Sequence, residues 1–197
     1  SSGFRLSRRW RWYFSNEIIV DGYGRIDECT IVERATNEIV IIGRNNGNYR
    51  EYPNNTEGLF VYNKITNSFV KEVTTFETNR SNQTSVCRAV IGGETIYLKS
   101  FTDSNAIDRR NLTLWASLDL KVWIRIYRIY APEGNGYSSI NFYSDRLIVS
   151  HETSRNILMQ ELTNLIPLIT ETINTNLKTN ISVQDRMQLI INMVKGI

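Results

Sequence analysis

Up to residue 152 the chain repeats one pattern, short apolar stretches separated by turn chemistry, and that rhythm constrains the fold more than any other feature. Residues 24–46 set the type. Two strand-like runs, CTIV (29–32) and EIVIIG (38–43), are joined by the turn-like Arg34-Ala35-Thr36-Asn37. Residues 59–62 and 68–73 read as a second hairpin, and 84–91 with 94–101 as a third about Gly92-Gly93. Two adjacent glycines favour a two-residue hairpin because both can take positive φ without steric cost. Residues 111–117 with 122–129, and 138–143 with 146–150, supply two more hairpins, and 157–162 a final strand. Shorter runs at 4–14 and 16–20 precede them. About a dozen strands without a convincing helix predict an all-β sandwich, barrel or propeller.

Beyond residue 162 the pattern changes. Residues 163–175 read as helical, with Pro167 tolerable in a first turn. Residues 182–195 read as a second helix, capped by Ser182 with Asp185 and ended by Gly196. Its apolar positions cover too broad a face for a free helix, so the tail should pack on its own sheet or on a partner chain. The expected division is therefore a β domain over 1–162 and a helical tail over 163–197 that packs or oligomerises.

Composition narrows the function classes. A net charge of +3 among 197 residues is too small to imply nucleic acid. The basic and aromatic FRLSRRWRWYF stretch reads as an alternating strand rather than a stacking patch. No apolar run of about 18 residues predicts a membrane span. Cys29 and Cys87 lie in apolar runs and read as buried free thiols, with one disulfide possible. No His/Cys cluster has metal-ligand spacing, and the single histidine, His151, reads as a surface residue. No cofactor is expected.

In the first hairpin, Glu28 opens one strand and Arg44 ends the next. Antiparallel pairing brings an acid and a base to one rim, where a surface salt bridge of little worth is the simplest account. Further along, Ser117-Leu118-Asp119-Leu120-Lys121-Val122-Trp123 has the spacing S-x-D-x-x-x-W. It resembles the Asp-box hairpin of β-propeller glycosidases, with Lys121 where that motif normally has glycine. Arg110-Asn111-Leu112-Thr113 precedes it much as an arginine of the sialidase (neuraminidase) family does. Gly136-Tyr137-Ser138-Ser139-Ile140 resembles the family's tyrosine motif, and 147–152, ending in Glu152, the segment that closes on a glutamate. Upstream, Asp27-Glu28-Cys29 followed by Arg44 resembles the family's glutamate and second arginine. Gly24-Arg25-Ile26 also resembles the motif around the first arginine, but the Glu28 to Arg44 separation and the order of the later motifs favour the former reading.

The resemblance implies a fold and a chemistry. The fold would be all-β, about three blades of a sialidase-like propeller with a short helical tail. The activity would be retaining hydrolysis of terminal α-linked sialic acids. Arg44 and Arg110 would clamp the substrate carboxylate through planar forks that lysine cannot reproduce. Tyr137 would be the nucleophile, Glu28 its base, and Glu152 would orient a clamp arginine outside this sequence. A neutral phenol avoids the repulsion a carboxylate nucleophile would meet, and sialidases are an exception to two-carboxylate glycosidases. Three blades are half of a six-bladed ring, so the chain is expected to be the C-terminal half of the catalytic domain. The rest of the propeller, or another chain, would complete it. The alternative from a different class is a glycan- or receptor-binding propeller without turnover, of phage-tail or adhesin type. Either would suit an extracellular or virion surface better than the cytoplasm.

Overall fold

The structure, a computed structural model, describes residues 26–45, 57–72, 83–102, 111–129, 137–153 and 156–178. Strands β1 (Ile26–Ala35), β2 (Glu38–Asn45), β3 (Glu57–Asn63) and β4 (Ser68–Glu72) form one antiparallel sheet in chain order. Strands β5 (Ser85–Ile91), β6 (Glu94–Thr102), β7 (Leu112–Ser117) and β8 (Ile124–Arg128) form a second. Strands β9 (Ser138–Tyr143), β10 (Arg146–Glu152) and β11 (Ile157–Glu161) form a third. Each is a meander of sequence neighbours. The first strands of the sheets stand side by side, β1 against β5 and β5 against β9. The described residues thus form the all-β, three-bladed propeller fragment expected, followed by one short helix after β11.

The hairpins form where turn chemistry allows. β1 and β2 are longer than the apolar runs suggest, leaving only Thr36 and Asn37 between them. Gly92 and Gly93 both take positive φ, +60° and +83°, as a two-residue link requires.

The second sheet has an apolar surface on both faces. Along β6, Ile96 and Leu98 join Leu114, Ile140 and Val149 in a core shared with the third sheet. Tyr97 and Phe101 join Val40, Ile42, Leu59, Leu120 and Trp123 in a core shared with the first. This period-two alternation is what a strand buried on both sides needs. Lys99 is fully buried among the second set, its Nζ 4.0 Å from the centroid of the Trp123 ring. Such a contact offsets part of the cost of burying an ammonium group.

After β11 the chain makes a 3-10 turn (Thr163–Leu165), helix α1 (Ile166–Thr172) and a π-helical stretch (Ile173–Lys178). Pro167 sits in the first turn of α1. Leu165, Ile169, Ile173 and Leu177 recur every fourth residue, and all are buried in the core between the second and third sheets. A Lys178 Nζ to Glu94 Oε1 ion pair of 2.6 Å fastens the end of this stretch to the β5–β6 turn. Of the two supports expected for the tail, this portion uses its own sheets. Residues 182–195, and the runs at 4–14 and 16–20, lie outside the described residues.

Two expectations are corrected. His151 is not a surface residue. It follows Leu147 and Val149 on the inward face of β10 and is 1% exposed. Cys29 is not a buried thiol. It shares the outward parity of Ile31 while Val32 points in, and it is exposed. The two cysteines are not bridged to one another, and burial pushes the Cys87 thiol up to about 12.

Candidate active site

Cross-sheet contacts align the three blades. The Val86 N–H donates to Thr30 Oγ1 at 3.3 Å, and the Ile140 N–H to Ser85 Oγ at 3.1 Å. These residues lie near the starts of β1, β5 and β9, so the starts share one end of the molecule. Antiparallel pairing brings the end of β2 and the start of β3 to the same end, with their counterparts in the other sheets. The connections at this end span 46–56, 73–84, 103–111, 129–137 and 153–156. Those at the opposite end are short turns, such as Thr36–Asn37, Gly92–Gly93 and Ser144–Asp145.

Glu28 and Tyr137 meet at the open end. The Tyr137 hydroxyl donates to Glu28 Oε1 at 2.6 Å, across 109 residues of sequence. The geometry starts from a β-bulge. Pairing of β1 with β2 runs from Asp27–Arg44 directly to Thr30–Ile42, so Glu28 and Cys29 together face Gly43. Glu28 takes φ +50°, a conformation that costs a residue with a Cβ about 1 kcal/mol. Bulges re-aim side chains and often accompany sites. Tyr137 immediately precedes β9 and is 44% exposed, so the paired phenol remains open to a ligand.

Other groups hold Tyr137 from below. Its carbonyl accepts from the Glu152 N–H at 2.9 Å, and its own N–H lies 3.5 Å from Glu152 Oε2. The following residue, Ser138, is buried with its Oγ 3.0 Å from Ser100 Oγ. His151 pairs across the ladder with Ser138, and its Nε2 lies 3.0 Å from the Gln160 amide nitrogen. Burial pushes the imidazole below its ordinary pKa, against a smaller opposing effect of the Glu152 backbone.

Glu28, Tyr137 and Glu152 are thus brought together. Arg44 sits at the end of β2 on the same rim, its backbone paired with Asp27 and Glu57. Arg110 lies outside the described residues, immediately before Asn111 and β7. Sequence reasoning missed Ser100. Ser100 could have been found by alternation, because a serine among the inward-facing Ile96 and Leu98 is out of place.

The far end of β1 contrasts with this. Arg34 donates Nε to Glu38 at 2.9 Å and a two-pronged pair to Glu72 at 2.8 and 2.9 Å. Lys121 adds a 2.9 Å pair to Glu72. The Arg34 guanidinium is the main cause that brings the Glu72 carboxyl down to about 2, against a smaller opposing effect of burial. Lys121 belongs to the 117–123 turn. There Asp119 Oδ1 accepts the N–H groups of Lys121 and Val122 at 2.8 and 2.9 Å, and Ser117 Oγ accepts that of Leu120 at 2.9 Å. The Trp123 indole donates to the Leu120 carbonyl at 3.0 Å. The left-handed residue is Leu120, at φ +67°, and not Lys121.

No protein-family model matches the sequence, and no curated protein matches it. Solved structures do. Trypanosoma rangeli sialidase in complex with the inhibitor DANA is similar over 76% of this chain at 17% identity, with a TM-score of 0.61. A mutant of the same sialidase displaying trans-sialidase activity is similar over 76% at 18% identity, with a TM-score of 0.60. The sialidase carrying 2,3-difluorosialic acid as a covalent intermediate gives 18% and 0.58. In each case this chain spans 25% of the length of the sialidase chain. At these identities the likeness is one of fold, and the fold of this chain is sialidase-like.

Proposed function

We propose that this chain carries the nucleophilic half of a retaining exo-α-sialidase site. The observation that carries the reading is the 2.6 Å hydrogen bond from the Tyr137 hydroxyl to Glu28 Oε1. A phenol ionises near pH 10 in water, so at neutral pH it needs an adjacent base to act as a nucleophile. Glu28 stands within the reach required of one. Tyr137 Oη would attack the anomeric carbon while its proton passes to Glu28, and the bond to the leaving oxygen would break. Water would then attack the same carbon and break its aryl ketosidic bond to Tyr137 Oη as Glu28 returns the proton to the phenol. An acid/base outside these residues would protonate the leaving alcohol in the first step and take the proton of water in the second, giving overall retention.

Arg44, and Arg110 beyond the described residues, would fork onto the substrate carboxylate. Glu152 would orient a further arginine. In the structure its Oε2 accepts from the Tyr137 N–H at 3.5 Å, which supports a share in holding the nucleophile as well. The 117–123 turn, closed by Ser117 and Asp119 over Trp123, supports an Asp-box-type hairpin. A general acid and a first arginine have no counterpart among these residues. The reading therefore takes the chain as the C-terminal half of a propeller completed by another segment or chain.

The test is Tyr137→Phe in the complete protein, assayed on a fluorogenic sialoside. Loss of nearly all turnover with the fold retained is the expected result. Undiminished hydrolysis would remove the nucleophile assignment.

A further inference from the structure

Both members of the acid–phenol pair hang from one strand pair of the second sheet. On the first-sheet side, Thr30 Oγ1 accepts the Val86 N–H at 3.3 Å and ties the strand of Glu28 to β5. On the third-sheet side, Ser85 Oγ accepts the Ile140 N–H at 3.1 Å. Ser85 lies opposite Ser100 in the β5–β6 ladder, and directly opposed residues of an antiparallel pair project from the same face. Ser100 meets the start of β9 as well, where the Ser138 hydroxyl donates to the Ser100 carbonyl at 3.2 Å. A serine hydroxyl carries one proton, so the Ser100 hydroxyl is the donor in the 3.0 Å contact between the two side chains. Both serines are buried, Ser100 completely.

Such a reciprocal pair is a weak source of stability. Two buried hydroxyls that satisfy each other only replace bonds to water, and two apolar groups of similar shape would hold the blades about as well. What a hydrogen-bonded pair adds is a fixed distance and direction. Ser138 is one peptide bond from Tyr137, whose hydroxyl stands 2.6 Å from Glu28 Oε1. We infer that Ser100 is a positioning residue of the sialidase-type site, acting through Ser138 to set the reach of the Tyr137 phenol to Glu28. The inference rests on the function proposed above. Ser100 fixes the start of β9 against the same strand pair that holds the strand of Glu28, and with it the acid–phenol distance.

The test is the double change Ser100→Ala with Ser138→Ala in the complete protein, which removes both hydroxyls and orphans neither. The thermal midpoint should stay within about 2 °C of wild type. Per folded molecule, kcat on a fluorogenic sialoside should fall about tenfold to a hundredfold, the cost of a misplacement approaching about 1 Å, with KM within about twofold. The resonance of Tyr137 labelled at the ring Cζ, identified by its loss in Tyr137→Phe, should move toward its position in Glu28→Gln. A kcat within twofold of wild type overturns the inference. So does a lower kcat with the Tyr137 resonance unmoved, because the loss then arises away from the acid–phenol pair. Should the double variant fail to fold, Ser100→Ala alone, which leaves Ser138 its carbonyl partner, carries the same readings. Wild-type protein that neither hydrolyses nor binds the sialoside removes the function proposed above. The Tyr137 resonance then decides the placement by itself: unmoved it overturns the action of Ser100 on the phenol, moved it upholds that action.

Discussion

The two ends of β1 use carboxylates in opposite ways. At one end Glu28 sits in a left-handed bulge and meets a phenol that is 44% exposed. At the other, Glu38 and Glu72 close around Arg34, with Lys121 joining from the next blade. The second arrangement satisfies charge with charge and links β1, β4 and the 117–123 turn. The first leaves a strained acid beside a weak acid, a poor bargain for stability and a suitable one for moving a proton. On the proposed function, strain at one end of a strand and ion pairing at the other would separate chemistry from scaffolding within about ten residues.

The largest expected effect breaks the chemical end. Glu28→Gln should lower hydrolysis by the complete protein about 10²- to 10⁴-fold, the usual worth of a positioned base. Its unfolding midpoint should move little, and equal activity would sink the assignment. Arg34→Met should do the reverse. It leaves Glu38 without its cation and Glu72 with Lys121 alone, so denaturant unfolding should show a loss of about 2 kcal/mol. Turnover per folded molecule should remain within about twofold. Unchanged stability there would mean that the network is only surface decoration.

The third effect is pH-dependent. Glu72 has its folded pKa depressed from 4.5 to about 2. Its contribution is therefore complete above about pH 4.5 and is lost as pH falls through 2, roughly 2 kcal/mol after allowance for partial exposure. Glu72→Gln should flatten that part of the stability–pH curve. Identical acid unfolding curves would rule the pair out as its source. The smallest effect is a gain. Glu28→Gly relieves the positive φ and should raise stability by up to about 1 kcal/mol while abolishing hydrolysis. A fall in stability would show that the bulge depends on the glutamate.

Much of the scaffold was legible in the sequence. The hairpins about Gly92-Gly93 and Ser144-Asp145, and the helical change at residue 163, follow from turn chemistry and periodicity. The meeting of Glu28 with Tyr137 could not be read from either hairpin. It depends on how one blade stands against another, and only the ordered family resemblance brought the two residues together. The errors were local. His151 looked exposed because histidine usually is, whereas its parity with Leu147 and Val149 places it inside. The apolar CTIV run reads as core throughout, whereas alternation turns Cys29 outward with Ile31. The bulge at Glu28 and Cys29 left no signal in residue types. Lys121 stands where the resembled motif has glycine, yet the positive φ of the turn falls on Leu120, whose side chain is fully buried in the core.

The meander within each sheet has a kinetic consequence. Every ladder joins strands adjacent in sequence, so each blade can form from local contacts with low loop-closure entropy. The Glu28–Tyr137 bond spans 109 residues and closes only after all three blades have docked. Regain of a Tyr137-dependent signal during refolding should therefore lag behind regain of β structure. The acid–phenol pair would serve as a clock for the last step of assembly.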